Sequence, residues 1–142
     1  MKNLILIGAL IAGAYFWFGE GNHQGTSTES ETQSLSGPSS FGQADSNRQV
    51  QGEGVVVKVL PDDNEGSRHQ KFILELSSGQ TILVAHNIDL APRISSISQG
   101  DTIAFNGEYE WNEKGGVVHW THHDPGGRHE AGWLKAGGKT YQ

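Results

Sequence analysis

The chain has no cysteine. That absence excludes disulfides, thiolate metal sites, a cysteine nucleophile and a lipidated N-terminal cysteine. It leaves the compartment open, because a domain with an adequate core can be exported without disulfides. Positive charge is also scarce. Ten Lys and Arg stand against sixteen Asp and Glu, for a formal net charge of −6 and a pI near 5.5. From Gln51 onward acidic side chains outnumber basic ones twelve to eight, whereas a domain that grips nucleic-acid phosphates shows a basic patch or stripe. Nucleic acid is therefore not an expected partner. Proline occurs four times and glycine twenty times in 142 residues, which suits a turn-rich β domain better than a helical bundle. No serine or lysine stands in a nucleophile motif, and neither a phosphate-cradling loop nor a dinucleotide fingerprint is present.

One long hydrophobic run is present. Met1-Lys2-Asn3 precedes LILIGALIAGAYFWF, residues 4–18, which carries no charge. A positive start before an apolar stretch marks a secretory signal or a membrane anchor. The run is shorter than the roughly 20 residues that span a bilayer comfortably, which favours a signal peptide. The lack of a small-x-small cleavage site favours an uncleaved anchor, as do the closing aromatics Tyr15, Phe16, Trp17 and Phe18, at home at a membrane interface. The expectation is an N-terminal hydrophobic helix over residues 1–18 acting as a signal anchor, with cleavage as the alternative.

Residues 19–49 are rich in Ser, Thr, Gly, Gln and Glu and offer almost nothing to bury. Such a segment does not offset its ordering entropy, so a disordered linker is expected, spanning on the order of 30 Å. His23 lies in it and reads as solvated.

The folded domain is expected over residues 50–142. GVVVKVL (Gly54–Leu60), RHQKFILEL (Arg68–Leu76) and QTILVAH (Gln80–His86) read as three strands, the last two joined by Ser77-Ser78-Gly79. A type I turn with the glycine in the left-handed position pairs Leu74 with Ile82, Phe72 with Val84 and Gln70 with His86. The larger apolar groups then share one face, so turn chemistry and burial agree. NIDLAPRISSI (Asn87–Ile97) reads as a short helical or irregular crossover. TIAFNGEYEW (Thr102–Trp111) places Ile103, Phe105, Tyr109 and Trp111 on one face, with Gly107 as a bend or bulge. After an NEKG turn the chain returns as VVHW, setting Val118 against Tyr109, His119 against Glu108 and Trp120 against Gly107. A last hairpin about Gly137-Gly138 brings Leu134 near Tyr141. Three strands, a short helical crossover and two strands give the order of a small five-stranded OB-like barrel, with a β-sandwich as its competitor.

HQKFIL, AHNIDLAPRI, GEYEWN, GGVVHWTHHDP and the closing GKTYQ resemble an uncharacterised bacterial family of unknown function. Its small, often exported members share the HWTHHDP core and the terminal YQ. The resemblance implies domain boundaries and carries over no chemistry. With it, the expected location is a bacterial inner membrane, single-pass, with the C-terminal domain in the periplasm, or export if the N-terminus is cleaved.

Four of the seven histidines crowd into VVHWTHHDPGGRHEAGW, residues 117–133. His119, His122, His123, Asp124 and His129, with His86 at the end of its strand, form a candidate site for a divalent transition metal such as zinc or copper. No standard ligand spacing is matched. Along an extended strand His119 and His123 share a face while His122 points the other way. Convergence therefore depends on a turn at Asp124-Pro125-Gly126. His69 has the opposite parity and should point outward.

Three function classes remain. One is a membrane-tethered binding module with this metal site and an unknown ligand or protein partner. Another is a metal-assisted hydrolase using a His with Asp124 or Glu108 as acid–base pair. The third is a purely structural or protein-interaction domain, with Trp111, Trp120 and Trp133 closing the barrel. Asp62, Asp63 and Glu65 read as a solvated turn or, failing that, part of a cation site.

Overall fold

The computed structural model describes residues 40–142. The hydrophobic segment 1–18 and most of the linker 19–49 lie outside them. No helix among the described residues is long and apolar enough to cross a membrane.

Seven strands follow one another: β1 (Arg48–Val59), β2 (His69–Glu75), β3 (Thr81–Asn87), β4 (Thr102–Glu110), β5 (Val117–His119), β6 (Trp133–Ala136) and β7 (Lys139–Tyr141). They hydrogen-bond in the order β1-β2-β3-β5-β4-β6-β7, and β1 also pairs with β4. That extra pairing closes β1-β2-β3-β5-β4 into a five-stranded barrel, which removes the sandwich alternative. All pairings are antiparallel except β3 with β5. One edge of β4 carries β1 along its length, while the other is shared by β5 at Glu108–Glu110 and β6 at Ile103–Asn106.

The β2–β3 register is the expected one, pairing Leu74 with Ile82, Phe72 with Val84 and Gln70 with His86. Gly79 has φ 90°, the left-handed position the turn required. Val118 faces Tyr109, His119 faces Glu108, and Leu134 faces Tyr141. The alternation in β2 and β3 points Phe72, Leu74, Ile82 and Val84 into the barrel, where they meet Val56, Ile103, Phe105, Tyr109, Val118 and Leu134. Phe72, Phe105 and Tyr109 are fully buried, each worth about 2–3 kcal/mol of apolar transfer.

Four expectations are corrected. The crossover is not helical: residues 88–101 run through turns, and the only helix among the described residues is a 3-10 turn at Gln43–Asp45. Its hold comes instead from Gln70, whose buried carboxamide accepts from the Ile94 N–H (2.9 Å) and donates to the Ile94 carbonyl (2.8 Å). The irregularity sits in β1 between Val56 and Lys58, while β4 passes Gly107 in unbroken register with β1. β1 starts at Arg48 rather than Gly54, because RQVQGE pairs with β4 despite its weak apolar pattern. Trp111 lies just past the end of β4 and is 40% exposed, so it does not share the buried face of Tyr109.

Phe41, in the stretch read as linker, joins the core against Phe105 and Tyr109 with ring centroids 6.2 and 5.3 Å away. Gln80 clamps it as Gln70 clamps Ile94. The Gln80 carboxamide accepts from the Phe41 N–H (2.8 Å) and donates to the Phe41 carbonyl (3.0 Å) and the Gly115 carbonyl (2.8 Å).

Candidate functional site

β4 alternates, with Tyr109 inward and Glu108 and Glu110 outward. β5 pairs with this end of β4 and sets His119 directly opposite Glu108. On the other flank of β4, β1 sets Gln49 opposite Glu108. Gln49, Glu108 and His119 therefore form one row across three strands on the outer wall of the barrel.

At the centre of that row His119 Nε2 lies 3.4 Å from Glu108 Oε2 and 3.2 Å from Glu110 Oε1. Yet this nitrogen is buried and makes a well-formed hydrogen bond to neither carboxylate. Among the described residues only one other buried side-chain polar atom lacks a partner, and it is Oε1 of Gln49. Its own Nε2 is engaged, donating to Asn106 Oδ1 at 2.7 Å. The two orphaned atoms thus belong to the two strand neighbours of Glu108. Glu108, Glu110 and His119 each offer one ligand atom, all within 4.8 Å of one another. Ligands about 2.1 Å from a tetrahedral zinc stand about 3.4 Å apart, so the separations fit such an ion.

The chain after β5 decides where the other histidines go. Trp120 has φ 54°, a left-handed conformation rare for an aromatic residue, and the strand stops there. Face alternation ends with it, so the expected pairing of His119 with His123 on one face does not form. Gly107 and Gly132 let the chain fold back at this point. A β-carbon on Gly107 would strike the His119 carbonyl, and one on Gly132 would strike the Trp120 and Asn106 carbonyls.

His122 is buried and its Nδ1–H donates to the His123 carbonyl at 2.7 Å, while His123 itself is exposed. Asp124 organises the turn. Its Oδ1 accepts from the Gly126 N–H (2.9 Å), and its Oδ2 accepts from the N–H groups of Arg128 (2.9 Å) and His129 (2.8 Å). These bonds hold its carboxyl below the usual carboxylate range.

That turn returns His129 to the side of Glu108. Its imidazole lies flat on the Trp120 indole, centroids 3.9 Å apart and planes 7° apart. Its Nε2 is 3.6 Å from Glu108 Oε2. Its Nδ1–H donates to the Glu130 carbonyl at 2.8 Å, which leaves Nε2 facing Glu108.

His86 is fully buried and taken. Its Nε2–H donates to the Pro92 carbonyl (2.9 Å), so Nδ1 is the acceptor and receives the Thr121 hydroxyl (2.7 Å). Burial holds its pKa down to about 4, with His122 nearby adding to the effect and the Pro92 bond opposing it. An imidazole with both nitrogens satisfied has no lone pair for a metal.

Of the six residues expected to bind metal, His119 and His129 meet around Glu108. His86, His122, His123 and Asp124 do other work or stand apart. Asp62 is bound in bidentate fashion by Arg93 (2.9 and 3.0 Å), which ties the β1–β2 loop to the crossover. Glu110 was missed by the sequence reading, although its signal was present. In the register that set His119 against Glu108, the outward residue two positions on is Glu110.

Residues 25–142 match the family described as "Protein of unknown function (DUF3465)". No curated protein and no solved structure matches the chain.

Proposed function

The chain belongs to this family of unknown function, and we propose that it is a membrane-tethered, exterior-facing binding module whose OB-type barrel carries a divalent transition-metal site. The metal ligands are Glu108, Glu110 and His119, with zinc or copper as the ion. The observation that carries this reading is the pair of buried polar atoms without a hydrogen bond, Gln49 Oε1 and His119 Nε2, on either side of Glu108. The two carboxylates repel each other, and a cation between them and the imidazole nitrogen, all within 4.8 Å of one another, would offset that repulsion.

An oxygen-rich set with one imidazole suits zinc, copper or manganese. The strand order β1-β2-β3-β5-β4, with β1 returning to β4, supports the OB-type assignment. Tethering rests on the run Leu4–Phe18 behind Lys2 and on the polar segment that follows. A bacterial inner membrane with the barrel in the periplasm is the corresponding location. For the hydrolase alternative the turn-holding bonds of Asp124 leave Glu108, beside His119 and His129, as the carboxylate of the acid–base pair.

The test uses the full chain, purified in detergent without a polyhistidine tag. Bound metal is measured by mass spectrometry and affinity by calorimetric titration with zinc and copper. Binding tighter than tens of micromolar that disappears in His119→Ala and in Glu108→Gln supports the site. Absence of such binding, or full binding in both variants, overturns it.

A further inference from the structure

The β6–β7 hairpin stands outside the closed ring of five strands, beside the start of β4. Between it and the crossover lies a cavity of about 550 Å³ at one mouth of the barrel. Both the size and the place suit a site for a small organic ligand. Ile94, Ala136 and Tyr141 form its apolar floor, and the exposed Ser95, Ser96 and Thr102 bring hydroxyls to its rim. The Gln70 carboxamide already holds the Ile94 peptide, so this wall is fixed in advance.

The mouth carries one charge of each sign, Asp101 and Lys139. Neither is in an ion pair among the described residues. Asp101 leads into β4 and is fixed by its turn, where Oδ2 accepts from the Ser98 N–H (2.8 Å) and Oδ1 is left for a ligand. Gly137 and Gly138, at φ 57° and 78°, close the two-residue turn that sets the start of β7. Lys139 follows them and holds its ammonium 5.0 Å from the centre of the Tyr141 ring. Ile103 of β4 pairs with Ala136, and Ala136 pairs with Lys139, so the two charges belong to strands two spacings apart. That places their backbones about 10 Å from each other. A single α-amino acid carries both charges on one carbon and is too short to bridge them. A peptide of two or three residues is long enough, at about 3.4 Å per extended residue.

We propose that this mouth binds short peptides with free termini, the ammonium on Asp101 and the terminal carboxylate on Lys139. The apolar floor receives the side chains, and the rim hydroxyls, which both donate and accept, bond the peptide groups between the ends. The site is independent of the metal-site reading, because Glu108 and Glu110 lie at the other end of β4.

The test uses the full chain, isotope-labelled and held in detergent, followed by nuclear magnetic resonance. It is titrated with alanyl-leucyl-alanine, with the same peptide acetylated at its N-terminus or amidated at its C-terminus, and with free leucine. Lys139→Gln and Asp101→Asn are the variants. Lys139 is exposed, and the asparagine oxygen still accepts from Ser98, so both keep the fold.

The free tripeptide should bind with a dissociation constant below about 1 mM and shift the amide signals of Ile94, Thr102 and Ala136. Each cap should weaken binding about tenfold, as for loss of a charge-assisted hydrogen bond, and free leucine should bind at least about tenfold more weakly. Lys139→Gln should weaken the free peptide about tenfold yet change the amidated one less than about threefold, and Asp101→Asn should do the same with the acetylated one. A merely destabilised barrel would lose all the peptides alike. No binding at about 10 mM peptide, shifts confined to other residues, or capped peptides or free leucine bound as tightly as the free tripeptide would overturn the proposal.

Discussion

Thr121 Oγ1 and His86 Nδ1 are joined by a 2.7 Å hydrogen bond inside the barrel wall. The hydroxyl donates, because the other ring nitrogen must donate to the Pro92 carbonyl. This fixes the neutral tautomer of a histidine with no exposed surface. It also makes His86 a source of acid sensitivity.

The folded-state pKa of His86 is depressed from 6.5 to about 4. Between those values the unfolded chain binds a proton that the folded chain refuses. Stability is therefore complete above about pH 6.5 and falls as the pH drops towards 4, by on the order of 3 kcal/mol from this group. Urea midpoints measured from pH 7.5 to 4 should show that decline. A His86→Gln variant should be less stable at neutral pH yet show a flatter profile across the same window. An equally steep profile in the variant would contradict the assignment.

Glu110→Gln should separate the needs of a cation site from those of the fold. Glu110 and Glu108 are outward neighbours on β4, and both face His119 Nε2. Without metal, removing one carboxylate relieves like-charge repulsion, so the melting temperature should hold or rise slightly at neutral pH. With zinc at a hundred times its dissociation constant, the wild type should gain about 2.7 kcal/mol, and the variant most of that less. Equal zinc-induced shifts in the two proteins would remove Glu110 from the site.

Gly132→Ala should be among the most damaging small substitutions in the chain. The added methyl meets the Trp120 and Asn106 carbonyls, which are backbone atoms with little freedom to retreat. A cost of about 3 kcal/mol is expected, at the upper end of overpacking effects. Thermal unfolding would report it. A change within experimental error would mean that the 120–132 loop is far softer than its contacts imply.

Gln80→Ala should cost about 2–3 kcal/mol, because it strands the N–H and carbonyl of Phe41 and the carbonyl of Gly115. Gln80→Glu is expected to be worse at neutral pH. It keeps the acceptor for Phe41 N–H but turns a carboxylate towards two carbonyl oxygens. Comparing the two by chemical denaturation checks the direction, and a Glu variant as stable as wild type would refute the clamp.

The barrel was legible where local chemistry and burial spoke together. Ser77-Ser78-Gly79 demanded one turn, the alternation of HQKFILEL and QTILVAH demanded one register, and both demands coincided. The first half of β1 was not legible, because Gln49, Gln51 and Glu53 carry no apolar signal and their pairing with β4 is long-range. The crossover looked helical from Asp89 and Pro92, but its docking is decided by Gln70, some twenty residues away. At the candidate site, histidine density drew attention to residues 119–129 and away from the strand beside them. Parity already put Glu108 and Glu110 opposite His119. What no pattern revealed was the left-handed turn at Trp120, which cancels the alternation and sets His129, rather than His123, beside Glu108.

Gln70 and Gln80 stand near opposite ends of the β2–β3 hairpin, and each grips a single peptide unit, of Ile94 and of Phe41. Neither peptide belongs to a rung of the barrel. Lifting Phe41 breaks its side-chain clamp and one apolar contact patch, whereas lifting Ile94 also strains the neighbouring Arg93–Asp62 pair and the His86–Pro92 bond; neither is part of a strand pair. The barrel therefore has a stopper at each end, and solvent is expected to reach its interior from the ends before any strand separates. Amide exchange at Phe41 and Ile94 should then be faster than in β2, β3 and β4, whose amides are freed only by rupture of the wall itself.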